Sequence, residues 1–134
     1  MFGALDVSTS ALVANRTRLN VIAANMANQF SVENADGEYA PYRRRVPIFA
    51  SGDPGRGSSA GVHVAEIELD QAAFRKKYEP GHKFADADGY VEYPNIDPAI
   101  EQVNALEASR AYEANITAVE ATKSMLNAAM RLIA

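Results

Sequence analysis

The first 30 residues carry apolar side chains at regular helical spacing. Apolar residues recur every seven positions, at Leu5, Leu12, Leu19 and Met26. Ile22 falls on the same stripe. A repeat of seven places these side chains on one face of a helix and is typical of coiled coils. The pattern therefore predicts an amphipathic helix over residues 4–28, with one face available for another helix.

The C-terminal part of the chain predicts a second and longer helix. Asp97 is a favourable N-cap residue and Pro98 is favourable in the first turn, so the helix is expected to start here. Apolar residues recur every seven positions at Tyr112, Val119, Leu126 and Ile133, with Ile116 and Met130 offset by four. A helix of about 36 residues is roughly 54 Å long. Such length without an internal stop indicates a coiled coil or an assembled layer.

The residues between the helices have the composition of turns and short strands. All six prolines lie between Pro41 and Pro98, and seven of the eight glycines lie between Gly37 and Gly89. The Gly/Ser-rich segment 51–61 carries no periodic apolar residue, so we expect a flexible loop there. Alternation of apolar and polar residues, and the turn residues that flank them, predict strands over 42–49 (an edge strand, because of Pro47), 61–69 and 90–93.

These patterns together predict an α+β fold with three parts. Residues 1–30 and 98–134 form N- and C-terminal assembly helices. Residues 31–97 form a small β-rich module between them. Long amphipathic helices at both ends of a small chain favour joining to other chains over enclosing a catalytic core.

The N-terminal helix contains an unusual number of asparagines for a solvated helix. They stand at positions 15, 20, 25 and 28, although Asn is a mediocre helix former. For Asn25 and Asn28 we expect hydrogen bonds to neighbouring chains. For Asn15 we expect a side chain that faces water.

Composition and charge exclude several classes of function. The chain has 134 residues, no Cys and a net charge of −4. It therefore has no disulfide, thiolate metal site or Cys nucleophile, and its charge argues against nucleic acid as the main partner. No apolar run reaches the roughly 18 residues of a membrane span, and no cleavable signal peptide is visible. These features predict a cytoplasmic protein, or one that is exported without cleavage.

The motifs that carry chemistry are all incomplete. Asp86-Ala87-Asp88-Gly89 resembles part of a calcium loop but lacks the central Gly and the terminal Glu, so it predicts a turn. The Arg43-Arg44-Arg45 run favours a charged, exposed strand edge or a contact with an acidic partner. His63 and His82 have no evident partner ligands. We therefore predict no catalytic residue, no metal site and no cofactor, and we expect that the protein is not an enzyme.

Several blocks of the sequence resemble a known family. They are the block from Arg18 to Asn28, Pro41 to Val46, Tyr78 to His82 with Gly89 to Val91, Pro94 to Asp97, and Ala108 to Asn115. These blocks are similar to those of the bacterial flagellar basal-body rod proteins, most closely the proximal-rod members. The chain departs from the family pattern at Lys83, where Pro is usual, and at residues 28–31. The resemblance covers nearly the whole chain.

The resemblance implies a structural subunit of the periplasmic rod that polymerises through its terminal helices and transmits torque. It also implies that these helices pair as a coiled-coil-like inner layer, with the β-rich module outside. It implies copies of itself and other rod and basal-body proteins as partners, with export through the flagellar type III apparatus. Helical seams and matched blocks together give the expected assembly interface: Leu5, Leu12, Leu19, Ile22, Asn25, Met26, Asn28, Arg110, Tyr112, Asn115, Ile116, Val119, Leu126, Met130 and Ile133. From the residues alone, a non-flagellar helical adaptor or scaffold module that binds a partner protein stays open.

Overall fold

The fold consists of two long helices and two small antiparallel sheets. The computed structural model describes the backbone of residues 2–133 and the side chains of residues 3–132. In chain order the elements are α1 (Phe2–Ala27), β1 (Arg45–Asp53), β2 (Ser58–Leu69), β3 (Arg75–Tyr78), β4 (Tyr90–Tyr93) and α2 (Pro98–Ile133). This order confirms the predicted α+β class and both terminal helices.

The two helices lie side by side and run in opposite directions. Near the end of α1, the Asn25 amide nitrogen lies 3.1 Å from Glu101 Oε2. Two helical turns earlier in α1, Arg18 Nη2 lies 2.9 Å from Glu107 Oε2. Continued along the helices, this register brings the first turn of α1 level with about residue 122 of α2, at 1.5 Å rise per residue. The last turns of α2 therefore project beyond α1.

The start of α2 has the predicted cap. Asp97 Oδ1 accepts a hydrogen bond of 2.9 Å from the Ala99 N–H, which satisfies one of the N–H groups left free in the first turn. Pro98 is the first helical residue, a position at which its fixed φ angle suits the helix.

Strands β1 and β2 form one antiparallel hairpin, with Arg45 opposite Leu69 and Ser51 opposite Val62. The segment 51–61, expected to be a flexible loop, belongs mostly to these strands, and only residues 54–57 separate them. Contact with α1 explains the difference, because Ser10 Oγ accepts a hydrogen bond of 3.1 Å from the Val62 N–H. Glycine is required beside it, since a Cβ at Gly61 would lie 2.7 Å from Ser10 Oγ.

Strands β3 and β4 form the second sheet, with Arg75 opposite Tyr93 and Tyr78 opposite Tyr90. The sequence predicted β4 with its observed bounds. It did not predict β3, because Arg-Lys-Lys-Tyr carries no alternation of apolar and polar residues. Pairing with β4 makes this segment a strand.

The apolar core lies where the second half of α1 meets the first half of α2 and the segments on either side of β4. Ile96, Val91 and Ala108 are fully buried. The other buried apolar residues include Ala14, Val21, Ile22, Val32 and Pro94. Among the residues that the structure describes, neither helix has a stretch apolar and uncharged enough to cross a membrane.

Candidate functional site

The predicted heptad residues lie along the contact between the two helices. On α1, Ile22 is buried and the other seam residues, Leu5, Leu12, Leu19 and Met26, are half-buried. On α2, Tyr112, Asn115, Val119 and Leu126 are half-buried and follow the buried Glu101 and Ala108 at helical intervals. The apolar stripes of α1 and α2, which predicted contacts with other chains, therefore contact each other within one chain.

Three expected interface residues of α2 lie off this contact. Ile116 is 37% exposed and Met130 is 66% exposed. Arg110 is also exposed. The side chain of Ile133 lies outside the part of the chain that the structure describes.

Asn25 is 1% exposed and all its hydrogen-bonding groups have partners within the chain. Its Oδ1 accepts from the Arg45 N–H (2.9 Å) and from the Tyr42 hydroxyl (3.3 Å). Its Nδ2 donates to the Arg45 carbonyl (2.9 Å) and to Glu101 Oε2 (3.1 Å). We expected this side chain to bond to neighbouring subunits, but its amide is fully engaged inside one subunit. A buried amide with four partners stabilises the fold before any assembly.

Asn28 and Asn15 also have local roles. Asn28 is half-buried, donates 2.8 Å to the Ala24 carbonyl and accepts 3.1 Å from Ser31 Oγ, so it caps the end of α1. Asn15 was expected to face water. It is instead 8% exposed, and its Nδ2 donates 2.9 Å to the Ala11 carbonyl.

Glu101 is the fully buried charge at the centre of the molecule. Its Oε1 accepts a hydrogen bond of 2.7 Å from Arg44 Nε, and Arg44 Nη1 lies 3.5 Å from Asp70 Oδ2. A buried carboxylate is tolerated only when it is paired and hydrogen-bonded. We call Asn25, Arg44, Asp70, Asn95 and Glu101 the junction.

Asn95 completes the junction from the segment before α2. Its Oδ1 accepts 3.0 Å from the Arg44 N–H, and its Nδ2 donates 3.3 Å to the carbonyls of Asp70 and Ala72. The junction therefore connects α1, α2, the start of β1 and the end of β2 through hydrogen bonds.

The junction changes the interpretation of the three consecutive arginines. Arg44 is bound inside the molecule, as described above. Arg43 Nη1 donates to the carbonyls of Asp70 (3.1 Å) and Ala72 (3.2 Å), and its guanidinium lies 4.3 Å from the centre of the Phe74 ring. Only Arg45 is exposed. Two of the three arginines therefore stabilise the fold, and the run does not form a basic docking patch. Three consecutive arginines in a sequence do not reveal that their side chains point in different directions.

A second polar cluster lies on the small sheet. Glu79 Oε1 is 2.6 Å from Lys77 Nζ, and Glu79 Oε2 accepts 2.7 Å from the Tyr93 hydroxyl. The hydrogen bond from Lys77 and then that from Tyr93 lower the pKa of Glu79. The same bond to Glu79 raises the pKa of Tyr93. This cluster holds the two strands together and shows no arrangement for catalysis.

The Asp86 segment forms the predicted turn. Asp86 Oδ1 accepts hydrogen bonds from the N–H groups of Asp88 (3.0 Å) and Tyr90 (2.8 Å). Gly89 has a φ of +83°, in the left-handed region that glycine tolerates. Among residues 2–133, no group of His, Asp and Glu side chains is arranged to hold a metal ion.

Helix α2 also carries an apolar stripe on the side away from α1, which the sequence analysis missed. Val103 is 66% exposed and Leu132 is 88% exposed. A heptad repeat identifies only one face of a helix, the one that forms the seam. The opposite face of α2 carries apolar residues that do not follow this repeat. The members of this outer stripe are Ile100, Val103, Leu106, Met125 and Leu132.

Two families match the ends of the chain. The family described as "Flagella basal body rod protein" matches residues 5–35. The family described as "Flagellar basal body rod FlgEFG protein C-terminal" matches residues 87–132. These matches cover most of α1 and most of α2.

Single proteins match over a larger part of the chain. The flagellar basal-body rod protein FlgC of Salmonella typhimurium is 45% identical, and the match covers 90% of this chain and 89% of that protein. FlgC of Bacillus subtilis is 39% identical over 98% of this chain and 97% of its own length. FlgC of Borreliella burgdorferi is 37% identical over 99% of this chain and 97% of its own length.

Proposed function

Because this chain belongs to the FlgC family of flagellar basal-body rod proteins, we propose that it builds the proximal rod by polymerising through its paired terminal helices. It is a structural subunit of the basal-body rod, as the identity over nearly its whole length requires. The resemblance found in the sequence blocks is thereby confirmed. The adaptor or scaffold alternative is not favoured by any feature of the structure.

The observation that carries the proposal is the outer stripe of α2. Ile100, Leu106 and Met125 are each more than half exposed, at 56%, 53% and 57%. With Val103 and Leu132, these side chains form two exposed apolar groups, one near each end of α2, and exposed apolar groups of this kind mark a surface that another protein covers. Since the inner face of α2 is already packed on α1, the outer stripe is the surface left for neighbouring subunits. Burial in an assembly is favourable by about 25 cal/mol per Å² of apolar area.

The junction suits a part that carries torque. A rod subunit that transmits rotation must not allow its helices to turn independently of its outer module. The bonds of Glu101 to Arg44 (2.7 Å) and to Asn25 (3.1 Å) connect both helices to β1. Buried, fully satisfied polar networks favour one rigid arrangement.

The partners and location follow from the family. We propose copies of this chain and other rod and basal-body proteins as partners, and the flagellar type III apparatus as the export route. The working location is the periplasmic rod. We also propose that the protein has no enzymatic activity.

The test is complementation of a bacterium whose own copy of the gene is deleted. Val103→Asp places a charge in the outer stripe without disturbing the buried seam. We expect normal export but few or no completed rods and no swimming. Leu126→Ala shortens a half-buried side chain at the projecting end of α2, where only a neighbouring subunit can complete its burial. It should impair rod completion more than solubility, since truncating a Leu that is buried in the assembly costs about 2–5 kcal/mol.

The matched control is Gln102→Asp, which adds the same charge at the neighbouring exposed position. It should swim as the wild type does. Secreted protein, rods in electron micrographs and swimming are scored separately. Wild-type rods and swimming from Val103→Asp would refute the proposed assembly surface, and absence of the wild-type protein from purified basal bodies would refute the function.

A further inference from the structure

Side chains cover at least part of the outer edge of three of the four strands. The Asn25 amide binds both the N–H and the carbonyl of Arg45 on β1. The Tyr39 hydroxyl does the same on β4, donating 3.1 Å to the Glu92 carbonyl and accepting 3.2 Å from the Glu92 N–H. Ser10 accepts from Val62 near the start of β2. An uncovered strand edge can pair with a strand of another molecule, so the edges that no side chain covers are candidate contact sites.

The second half of β2 has an open edge centred on Ile67. Arg45 uses both main-chain groups on Asn25, so Arg45 and Leu69 form a non-hydrogen-bonded pair. Hydrogen-bonded and non-hydrogen-bonded pairs alternate along an antiparallel ladder, so the pair two residues on is also non-hydrogen-bonded. That pair is Pro47 with Ile67, and Pro has no N–H to donate. Ile67 therefore directs its N–H and carbonyl outward, and residues 65–69 are all exposed.

Strand β3 has an equivalent open edge centred on Lys76. Glu92 uses both main-chain groups on Tyr39, so its cross-strand pair with Lys76 is non-hydrogen-bonded. The bond of 2.9 Å from the Glu79 N–H to the Gly89 carbonyl fits the same alternation. Lys76 therefore directs its N–H and carbonyl away from β4. All four residues of β3 are exposed.

The side chains that flank these two edges carry opposite charges at the same spacing. Glu66 and Glu68 flank Ile67, and neither makes an ion pair with any residue in the described part of the chain. Arg75 and Lys77 flank Lys76. Within the chain, Lys77 is 66% exposed beside Glu79, and Arg75 donates 2.6 Å to the Ile96 carbonyl and has no carboxylate partner in the described residues. The exposed ion pair of Lys77 with Glu79 contributes little to stability.

We propose that the open edge of β2 in one copy of the chain pairs antiparallel with the open edge of β3 in a second copy. Ile67 and Lys76 exchange both main-chain hydrogen bonds. Glu66 then lies opposite Lys77, and Glu68 lies opposite Arg75. Both charged pairs occupy non-hydrogen-bonded positions, at which side chains of an antiparallel ladder approach most closely. The side chain of Ile67, 47% exposed in one chain, covers the aliphatic stem of Lys76.

The charges also select which edges meet. Two β2 edges would place glutamates opposite one another, and two β3 edges would do the same with cations, so like edges repel. Only unlike edges attract. A contact between two different surfaces is not closed by one pairing and repeats from copy to copy, as a ring or a helical array requires. This contact lies on the β-rich module and does not involve the helical surfaces proposed above.

Disulfide trapping tests the register, because the chain has no native Cys. The variants Glu66→Cys and Lys77→Cys are purified separately, mixed at assembly concentration and oxidised mildly. We expect a disulfide-linked dimer in the mixture and none in either variant alone. Glu68 and Arg75 are unchanged in this design, so the second charged pair can still form. The matched control, Asp36→Cys mixed with Lys77→Cys, should not cross-link.

A charge swap tests the energetics. The variant Glu66→Lys/Glu68→Lys should self-associate at least about tenfold more weakly in sedimentation. Adding Arg75→Glu/Lys77→Glu to the same chain should restore association, since the pairs are then reversed but complementary. Circular dichroism checks that both variants fold. The proposal fails if the mixed cysteines do not cross-link above the control, or if the fourfold variant associates no better than the twofold one. Neither readout depends on rod formation in cells.

Discussion

Asn25 binds the main chain of Arg45 as a neighbouring strand would. Its amide oxygen lies 2.9 Å from the Arg45 nitrogen and its amide nitrogen lies 2.9 Å from the Arg45 oxygen. One helical side chain thus satisfies both main-chain groups at the start of β1. This explains why a mediocre helix former is placed in the last turns of a helix that must pack tightly.

We predict that Asn25→Leu destabilises the isolated chain, although Leu is the better helix former. The change leaves the Arg45 main chain without its partner in a partly buried site, and an unsatisfied buried group costs about 1–3 kcal/mol. Urea unfolding of the monomer measures the loss. Asn20→Leu, at an exposed position of the same helix, is the control and should be neutral within about 0.5 kcal/mol. Equal stability of the two variants would mean that Asn25 acts only between subunits.

The ion pair at the junction should behave as a buried one. Arg44→Met leaves the carboxylate of the fully buried Glu101 without its charged partner and should cost about 3–5 kcal/mol. The double variant Arg44→Met/Glu101→Leu removes the orphaned charge and should recover a substantial part of that loss. A double-mutant cycle, measured by urea unfolding, gives the coupling free energy between Arg44 and Glu101. Additive losses from the two changes would show that the pair is solvated.

The cluster around Glu79 predicts how stability changes with pH. Hydrogen bonds from Lys77 and Tyr93 lower the pKa of Glu79 below its ordinary value of 4.5. A carboxylate whose pKa is lowered by folding stabilises the native state above its unfolded pKa, and this contribution is lost as the pH falls below about 4.5. The urea midpoint of the wild type should therefore fall in this window more steeply than that of Glu79→Gln. Parallel curves for the two proteins would contradict the assignment.

The same cluster has an alkaline counterpart. The hydrogen bond to Glu79, followed by burial, raises the pKa of Tyr93 above its ordinary value of 10.0. A group whose pKa is raised by folding contributes stability below its unfolded pKa, and this contribution is lost as the pH rises through the folded pKa. Stability should thus decline above about pH 10. Tyr93→Phe should reduce this decline, and ultraviolet titration of the tyrosines identifies the group.

Hydrogen exchange should divide α2 into two parts. Residues 98–112 contact α1 and the junction, so their amides should be protected in the monomer. The turns beyond about residue 124 project past α1, and an isolated helical segment gains little stability without a packed face. We therefore expect fast exchange there in the monomer and protection on assembly. Uniform protection along α2 in a verified monomer would contradict the register of the helix pair.

The sequence alone determined the features that depend on neighbouring residues. Heptad spacing predicted both helices and the apolar face of each, and Asp97-Pro98 predicted the start of α2. Asp86 to Gly89 predicted a turn. These signals lie within a few residues of the structure that they specify, so a single chain read in order reveals them. The family was also readable, because its blocks are short and contiguous.

Only the tertiary structure decided the features that join distant parts of the chain. Asn25 and Arg45 are 20 positions apart, and Arg44 and Glu101 are 57 apart. The segment 51–61 has the composition of a loop, but it became strand because α1 and its partner strand lie beside it. β3 likewise became a strand by pairing with β4. Burial and strand pairing depend on which residues meet across the fold, and local sequence preferences are too weak to determine that.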